Sequence, residues 1–85
     1  MMKMLFFYAR WCGPCCRMKR DFMDRFVAGH PGQAEMHDVD IKVSLAERYD
    51  VCRLPTIVLL KDGKVYKKIE GAVNEEELRT WLHEA

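Results

Sequence analysis

The distribution of apolar and polar positions along the chain predicts four strands. Residues 3–9 and 56–60 are apolar at nearly every position, which is typical of short strands buried on both faces of a sheet. Residues 33–41 alternate loosely between apolar and polar side chains and predict a strand nearer an edge. Residues 65–70 lie among lysines, which suit an edge strand that must avoid pairing with other chains.

Three further segments have the apolar spacing of amphipathic helices. In residues 15–27 apolar side chains recur at spacings of three and four residues. A shorter helix follows Asp40, which we expect to cap it, with Ser44 as a second possible cap. Before the last helix, Asn74 and Glu77 have the spacing of a reciprocal capping box.

The connections between these elements predict the topology. Asp62-Gly63 is a strong signal for a two-residue hairpin, so the last two strands are expected to be antiparallel. The first two strands are joined through a helix and are expected to be parallel. The order β-α-β-α-β-β-α predicts one α/β domain over residues 1–85, with helices on both faces of the sheet.

Composition excludes several classes of function. A net charge of +1 gives no electrostatic signal for a nucleic-acid partner. No apolar stretch approaches the roughly 18 residues of a membrane span, and the apolar run after Lys3 is shorter than the about 7–15 residues of a secretory signal. We therefore expect a cytoplasmic protein with no membrane contact. In that compartment cysteines are more often catalytic or metal-binding than structural.

Two of the four cysteines, Cys12 and Cys15, lie between the first strand and the first helix. A cysteine just ahead of a helix is close to unpaired backbone N–H groups, which favour its thiolate. Arg10 is expected to add positive potential, and Gly13-Pro14 to set the stiffness of the turn. We predict that Cys12 is an exposed nucleophile. Cys15, on the apolar stripe of the helix, is then the buried thiol that resolves the mixed disulfide.

A zinc site is the alternative interpretation of this cysteine spacing. Four zinc ligands would need two more residues from among Cys16, Cys52, His30 and His37. None of these residues forms a second C-x-x-C pair or an H-x3–5-H pair. The adjacency of Cys15 and Cys16 is also awkward for tetrahedral ligation. We therefore predict a redox-active disulfide with no metal and no other cofactor.

Several motifs resemble one protein family. Residues 11–15, Trp-Cys-Gly-Pro-Cys, are similar to the active-site motif of thioredoxins. Residues 54–56, Leu-Pro-Thr, resemble the cis-proline segment of that family. Residues 61–65 resemble its hairpin, and residues 70–72, followed by an amphipathic helix, resemble its C-terminal end. The resemblance covers the whole chain in order.

This resemblance implies a thioredoxin-like fold, with a four-stranded mixed sheet in the order 2-1-3-4. It also implies the reduction of protein disulfides by a monomer that takes electrons from a donor similar to thioredoxin reductase. A backbone strand of the substrate would pair beside Pro55. The residues implied to border the substrate groove are Trp11, Gly13, Pro14, Leu54, Pro55, Thr56 and Gly71.

The chain departs from the thioredoxin pattern in two ways. It lacks the extra N-terminal strand and helix of full-length thioredoxins, and so resembles glutaredoxin-sized members. The buried acid expected six residues before the first cysteine is replaced by Phe6, and the lysine that accompanies it aligns with Met36. In the family this acid is thought to help deprotonate the resolving cysteine. We therefore predict that resolution by Cys15 is slower here, or depends on water or a substrate group.

Cys16 and Cys52 have two possible interpretations. Both can be small, half-buried apolar residues without chemistry of their own. Alternatively Cys52, three residues before Pro55, is a regulatory thiol that is glutathionylated or links two chains.

Two other functions compete with that of a thioredoxin-like reductase. A glutaredoxin-like reductase that uses glutathione fits the chain length and the missing acid. It does not fit Gly13-Pro14, because glutaredoxins typically carry proline and an aromatic residue between the cysteines. A thioredoxin-fold binding module would leave the dithiol idle, and the intact Cys-Gly-Pro-Cys motif argues against it.

Overall fold

A computed structural model of the protein describes residues 1–84. Within them, the strands are β1 (Met2–Tyr8), β2 (Ala34–Asp38), β3 (Thr56–Lys61) and β4 (Lys64–Glu70). A long first helix covers residues 13–28 in three consecutive segments, namely α1 (Gly13–Met18), a π-helical segment (Lys19–Met23) and α2 (Asp24–Ala28). Two shorter helices follow, α3 (Val43–Arg48) and α4 (Glu75–Leu82). No helix in this range is long and apolar enough to cross a membrane.

The four strands form one mixed sheet in the order β2-β1-β3-β4, as predicted. β1 pairs in parallel with β2 and antiparallel with β3, and β4 returns antiparallel to β3. At the hairpin, Asp62 and Gly63 have φ angles of 52° and 84°. These are the left-handed conformations that a two-residue hairpin turn requires. The predicted α/β topology is confirmed.

Both faces of the sheet are covered, because successive side chains of a strand point to opposite faces. On one face, Phe6 packs in a cluster that includes Met23 of the first helix and Leu78 of α4. On the other face, Phe7 belongs to a cluster that includes Ala46 of α3. Burial on both faces explains why β1 is apolar at almost every position.

The π-helical segment shifts the apolar stripe of the first helix by one position. The N–H of Asp24 donates to the carbonyl of Lys19, which lies five residues earlier rather than four. Met23 is therefore fully buried, whereas Phe22 is only partly buried. The spacings of three and four residues in the sequence are compatible with burial of either Phe22 or Met23 and did not reveal the wider turn.

β2 ends earlier than predicted, because Asp38 closes a turn. Its Oδ1 accepts the N–H of Asp40 at 2.9 Å. Its backbone carbonyl accepts the N–H groups of Ile41 and Lys42 at 3.0 and 2.7 Å. A short aspartate side chain that binds the backbone two residues later favours a turn over a strand. The loop 39–42 is thereby held by hydrogen bonds at its base.

The predicted helix caps are found at the start of α4 but not at the start of α3. Lys42 precedes α3 and makes no side-chain capping bond, so the predicted cap by Asp40 or Ser44 is wrong. The reciprocal box at the start of α4 is confirmed. The N–H of Glu77 donates to Oδ1 of Asn74 at 2.8 Å, and the N–H of Asn74 donates to Oε1 of Glu77 at 3.1 Å.

Candidate active site

Cys12 lies at the junction of β1 and the first helix. Its N–H donates to the carbonyl of Ala9 at 3.1 Å, and its carbonyl accepts the N–H of Cys16 at 3.0 Å. It is the N-cap residue of α1, and its Sγ accepts the N–H of Cys15 at 3.3 Å. Pro14 occupies the first turn, where no N–H is needed. The start of the helix thus favours negative charge on this sulfur.

The structure joins Cys12 and Cys15 by a disulfide bond. Their Cα atoms are 5.3 Å apart, inside the range of about 4.4–6.8 Å that disulfides span without backbone movement. The backbone therefore places the pair for the disulfide form that a dithiol–disulfide cycle requires.

Both cysteines are buried, although to different degrees. Cys15 is 0% exposed and Cys12 is 6% exposed, so the prediction of an exposed Cys12 is wrong. Ala9 belongs to the same cluster, and Val39 and Leu54 pack against it. Close packing from two neighbouring loops covers most of Cys12, and this packing was not visible in the sequence.

Cys12 reaches the surface through an open groove of about 560 Å³. The groove is lined by Trp11, Cys12, Val39, Val51, Cys52, Arg53 and Leu54. It therefore brings together the loop after β1, the end of β2 and the segment before β3. Three of its residues, Val39, Val51 and Arg53, were missed by the sequence analysis. Val39 could have been found, since it follows a strand parallel to β1 and parallel strands end at the same edge of a sheet.

Pro55 and its neighbours support the groove from behind. The peptide bond between Leu54 and Pro55 is cis, as the resemblance implied. The carbonyl of Pro55 accepts the N–H of Gly71 at 2.9 Å, and Gly71 has a φ of 104°, which favours glycine. Thr56 is fully buried, and its hydroxyl donates to the carbonyl of Arg53. Thr56 therefore holds the loop and has no exposed surface for a substrate.

Trp11 forms the outer wall of the groove. Its side chain is among the most exposed large apolar groups, at 71%. Its Nε1 donates to Oδ2 of Asp40 at 3.0 Å. An exposed aromatic ring is thus fixed in orientation next to Cys12 by one hydrogen bond. This contact explains the position of Asp40, for which the sequence analysis had predicted helix capping.

Arg10 does not act on Cys12 as a free positive charge. Its Nε lies 3.6 Å from Oδ2 of Asp38, whose side chain is 8% exposed. Because the guanidinium faces this carboxylate, the prediction that Arg10 adds positive potential at Cys12 is not supported. The helix start is the main source of stabilisation for a Cys12 thiolate.

Comparisons with known proteins agree with this geometry. The family model named Thioredoxin matches residues 2–84. Curated thioredoxins of Staphylococcus aureus are 36% identical over 74 residues, which cover 85% of this chain and 70% of theirs. The chain belongs to the thioredoxin family.

Solved thioredoxin structures share the fold. The Fasciola hepatica thioredoxin has a TM-score of 0.80 and 33% identity, covering 95% of this chain and 77% of that one. The oxidised mitochondrial thioredoxin 3 of Saccharomyces cerevisiae has a TM-score of 0.75 and 34% identity, covering 95% and 76%. The predicted thioredoxin-like fold is confirmed. With the Cys12–Cys15 disulfide, family membership identifies the protein as an oxidoreductase enzyme that exchanges thiols and disulfides.

Phe6 of β1 stands at the position where the family's acid was expected. Phe6 is 0% exposed, pairs in register with Met36 of β2, and stacks on Tyr8 with ring centroids 5.8 Å apart. The positions of the expected acid and lysine are thus adjacent and both apolar. Within residues 1–84, Asp38 is the only buried carboxylate, and its oxygens face Arg10 and a backbone N–H.

The two remaining cysteines are free and exposed. The prediction that they are half-buried apolar residues is therefore wrong. The thiol of Cys16 lies 3.3 Å from the carbonyl of Arg10, and that of Cys52 lies 3.6 Å from the carbonyl of Asp50. Cys52 lines the same groove as Cys12. No group of three or more metal-binding side chains occurs in residues 1–84.

Proposed function

We propose that this thioredoxin-family oxidoreductase reduces protein disulfides, with Cys12 as the nucleophile and Cys15 as the resolving thiol. The observation that carries this proposal is the position of Cys12. Its sulfur caps a helix and lines the groove, whereas Cys15 is completely enclosed. A substrate disulfide can therefore approach the first sulfur but not the second.

The reaction has two exchange steps. The Cys12 thiolate attacks one sulfur of the substrate disulfide, and the other substrate sulfur leaves as a thiolate that takes up a proton. Cys15 then loses its proton and attacks the Cys12 sulfur, which releases the second substrate thiol. Two electrons pass from the dithiol to the substrate, and the Cys12–Cys15 disulfide is formed.

The groove residues have separate roles in this proposal. Trp11 and Leu54 line the groove together with Cys12 and present apolar surface to a substrate. Gly13 and Pro14, both exposed at the helix start, leave room for the substrate chain. A backbone strand of the substrate would lie beside Pro55, and the Gly71–Pro55 hydrogen bond supports the loop there.

The proposal also includes an electron donor, an oligomeric state and a cellular location. We expect one domain over residues 1–85 to act as a monomer and to receive electrons from an enzyme of the thioredoxin-reductase class. The Gly-Pro pair between the cysteines supports this donor over glutathione. Cysteine usage supports a cytoplasmic role in electron transport and redox homeostasis.

Catalysis of insulin reduction by dithiothreitol tests the proposal. We expect the wild-type protein to accelerate the reaction and Cys12→Ser to abolish the acceleration, while Cys16→Ser, the control beside the motif, leaves it unchanged. No acceleration by the wild type would favour a binding module. To identify the donor, reduction of the Cys12–Cys15 disulfide is followed with NADPH and thioredoxin reductase, and separately with glutathione and glutathione reductase.

Cys52 is proposed as a regulatory thiol, because it is exposed in the groove that the substrate would occupy. A glutathione attached there would block access to Cys12. Mass spectrometry after treatment with oxidised glutathione is expected to find Cys52 modified, with slower insulin reduction as a result. Modification confined to Cys12 and Cys15 would contradict this role.

A further inference from the structure

Six large apolar side chains are exposed in residues 1–84. Three of them lie in the loop after β1, in the loop 39–42 and at the start of α3. Trp11, Ile41 and Val43 are 71%, 66% and 53% exposed. The other three, Met1, Val65 and Tyr66, lie at the N-terminus and on β4. The mechanism proposed above uses Trp11 but gives no role to Ile41 or Val43.

Ile41 and Val43 border a second surface depression, of about 470 Å³. Its lining consists of Ile41, Lys42, Val43, Ser44, Leu45 and Arg48. Two β-branched side chains at its mouth lose contact with water whenever a partner covers them. Covering apolar surface contributes roughly 25 cal/mol per Å².

The depression and the active-site groove are both lined by residues of the loop 39–42. Val39 lines the groove, Asp40 binds the ring nitrogen of Trp11, and Ile41 opens the depression. Hydrogen bonds to Asp38 hold this loop at its base. Ile41 directly follows Asp40, the partner of Trp11, so a substrate chain that leaves the groove along this loop would reach Ile41.

The charge beside this apolar surface is positive. Lys42 and Arg48 line the depression, and neither takes part in any ion pair within residues 1–84. Asp40, the nearest acid in the loop, is occupied by Trp11. An acidic group on a partner could therefore pair with Lys42 or Arg48 without displacing a carboxylate of this protein.

We propose that this depression is a second contact for the protein whose disulfide is reduced. It accepts an apolar side chain followed by an acidic one, in the segment that flanks the substrate's reacting cysteine. This inference rests on the proposed reduction of protein disulfides and specifies which disulfides are preferred.

The test compares the wild type and three variants on two kinds of substrate. Ile41→Ser/Val43→Ser removes the apolar mouth, and Val65→Ser is the matched control, since Val65 is 56% exposed on β4. The substrates are hydroxyethyl disulfide and disulfide-linked peptides in which the reacting cysteine is flanked by Leu-Glu or by Leu-Lys. Circular dichroism establishes that all four proteins are folded.

We expect the double variant to raise KM for the Leu-Glu peptide about tenfold, with kcat unchanged, because two apolar contacts are lost. Hydroxyethyl disulfide is too small to reach the depression, so its reduction should be equal for all four proteins. The Lys42→Glu/Arg48→Glu variant should prefer the Leu-Lys peptide over the Leu-Glu peptide.

Three other outcomes would overturn the second contact. Equal KM values for the wild type and the double variant on the Leu-Glu peptide would overturn the second contact while leaving disulfide reduction intact. Failure of the wild type to reduce hydroxyethyl disulfide and both peptides would overturn the proposed function, and this contact with it. A dimer in light scattering that the double variant abolishes would assign the surface to a second copy of the chain and overturn the proposal.

Discussion

The outer and inner sides of the active-site disulfide differ in what they offer to a reaction. On the outer side, Cys12 caps a helix and faces a groove, beside an aromatic ring held by a carboxylate. On the inner side, Cys15 is fully buried, and Phe6 and Met36 stand in register where the family's acid and lysine were expected. For the proposed reaction, we therefore expect attack by Cys12 to be well supported, whereas resolution by Cys15 has no acid at the position where the family's acid was expected.

The largest effect on this comparison is expected from Cys15→Ser. The outer half of the site remains intact, so Cys12 still attacks, but no thiol resolves the mixed disulfide. Turnover should fall by about a thousandfold, while a covalent complex between Cys12 and the substrate accumulates and is visible on a non-reducing gel. Cys12→Ser is the matched control and should give neither turnover nor complex. A Cys15→Ser protein that turns over normally would reverse the assigned roles.

Phe6→Asp restores a carboxylate on the inner side. We expect resolution of the mixed disulfide to become about tenfold faster, because the carboxylate accepts the proton of Cys15. The variant should also lose about 3–5 kcal/mol of unfolding free energy, since it removes a buried ring and buries a polar group. Rapid mixing at low temperature measures the rate, and urea unfolding measures the stability.

Phe6→Asn is the control for Phe6→Asp, because it leaves a similar cavity without a charge. If both variants resolve the mixed disulfide as fast as the wild type does, the missing acid is not what limits this step.

Asp40→Ala alters the outer side by releasing the ring of Trp11. We expect KM for protein disulfides to rise about threefold with kcat unchanged, since one exposed hydrogen bond to a charged group is lost. Trp11 fluorescence, recorded in a Trp81→Phe background, should become less sensitive to reduction of the disulfide. Asp40→Asn keeps an acceptor oxygen and should restore most of both properties. Identical fluorescence in Asp40→Ala and the wild type would show that the bond does not orient the ring.

Glu35→Gln is expected to have the smallest effect, because it lies away from both sides of the disulfide. Lys3 of β1 and Glu35 of β2 form an ion pair between the two strands. In the folded protein, the hydrogen bond from Lys3 lowers the pKa of Glu35 below its ordinary value of 4.5. The contribution to stability is therefore complete above about pH 4.5 and is lost as the pH falls through the lowered pKa.

Both side chains of the ion pair between Lys3 and Glu35 are more than a third exposed. We therefore expect the pair to contribute less than about 1 kcal/mol to the free energy of unfolding. Urea unfolding of the wild type and of Glu35→Gln at pH 7 and pH 3 measures this contribution. A variant with the same difference between the two pH values as the wild type would contradict this role of Glu35.

Much of the fold could be predicted from local patterns, because each of those patterns depends on neighbouring residues only. The buried strands, the Asp62-Gly63 turn and the box of Asn74 and Glu77 follow from spacing and backbone preference. The position of Cys12 ahead of a helix follows in the same way from Pro14.

The sequence by itself determined the order of the elements, the dithiol at a helix start and the absence of the usual acid at Phe6. Only the tertiary structure decided how exposed the cysteines are, since loops far apart in sequence pack on Cys12 and leave Cys52 open. The same holds for Asp40, whose partner Trp11 is 29 residues away. Contacts between distant segments depend on the complete fold, and local spacing carries no information about them.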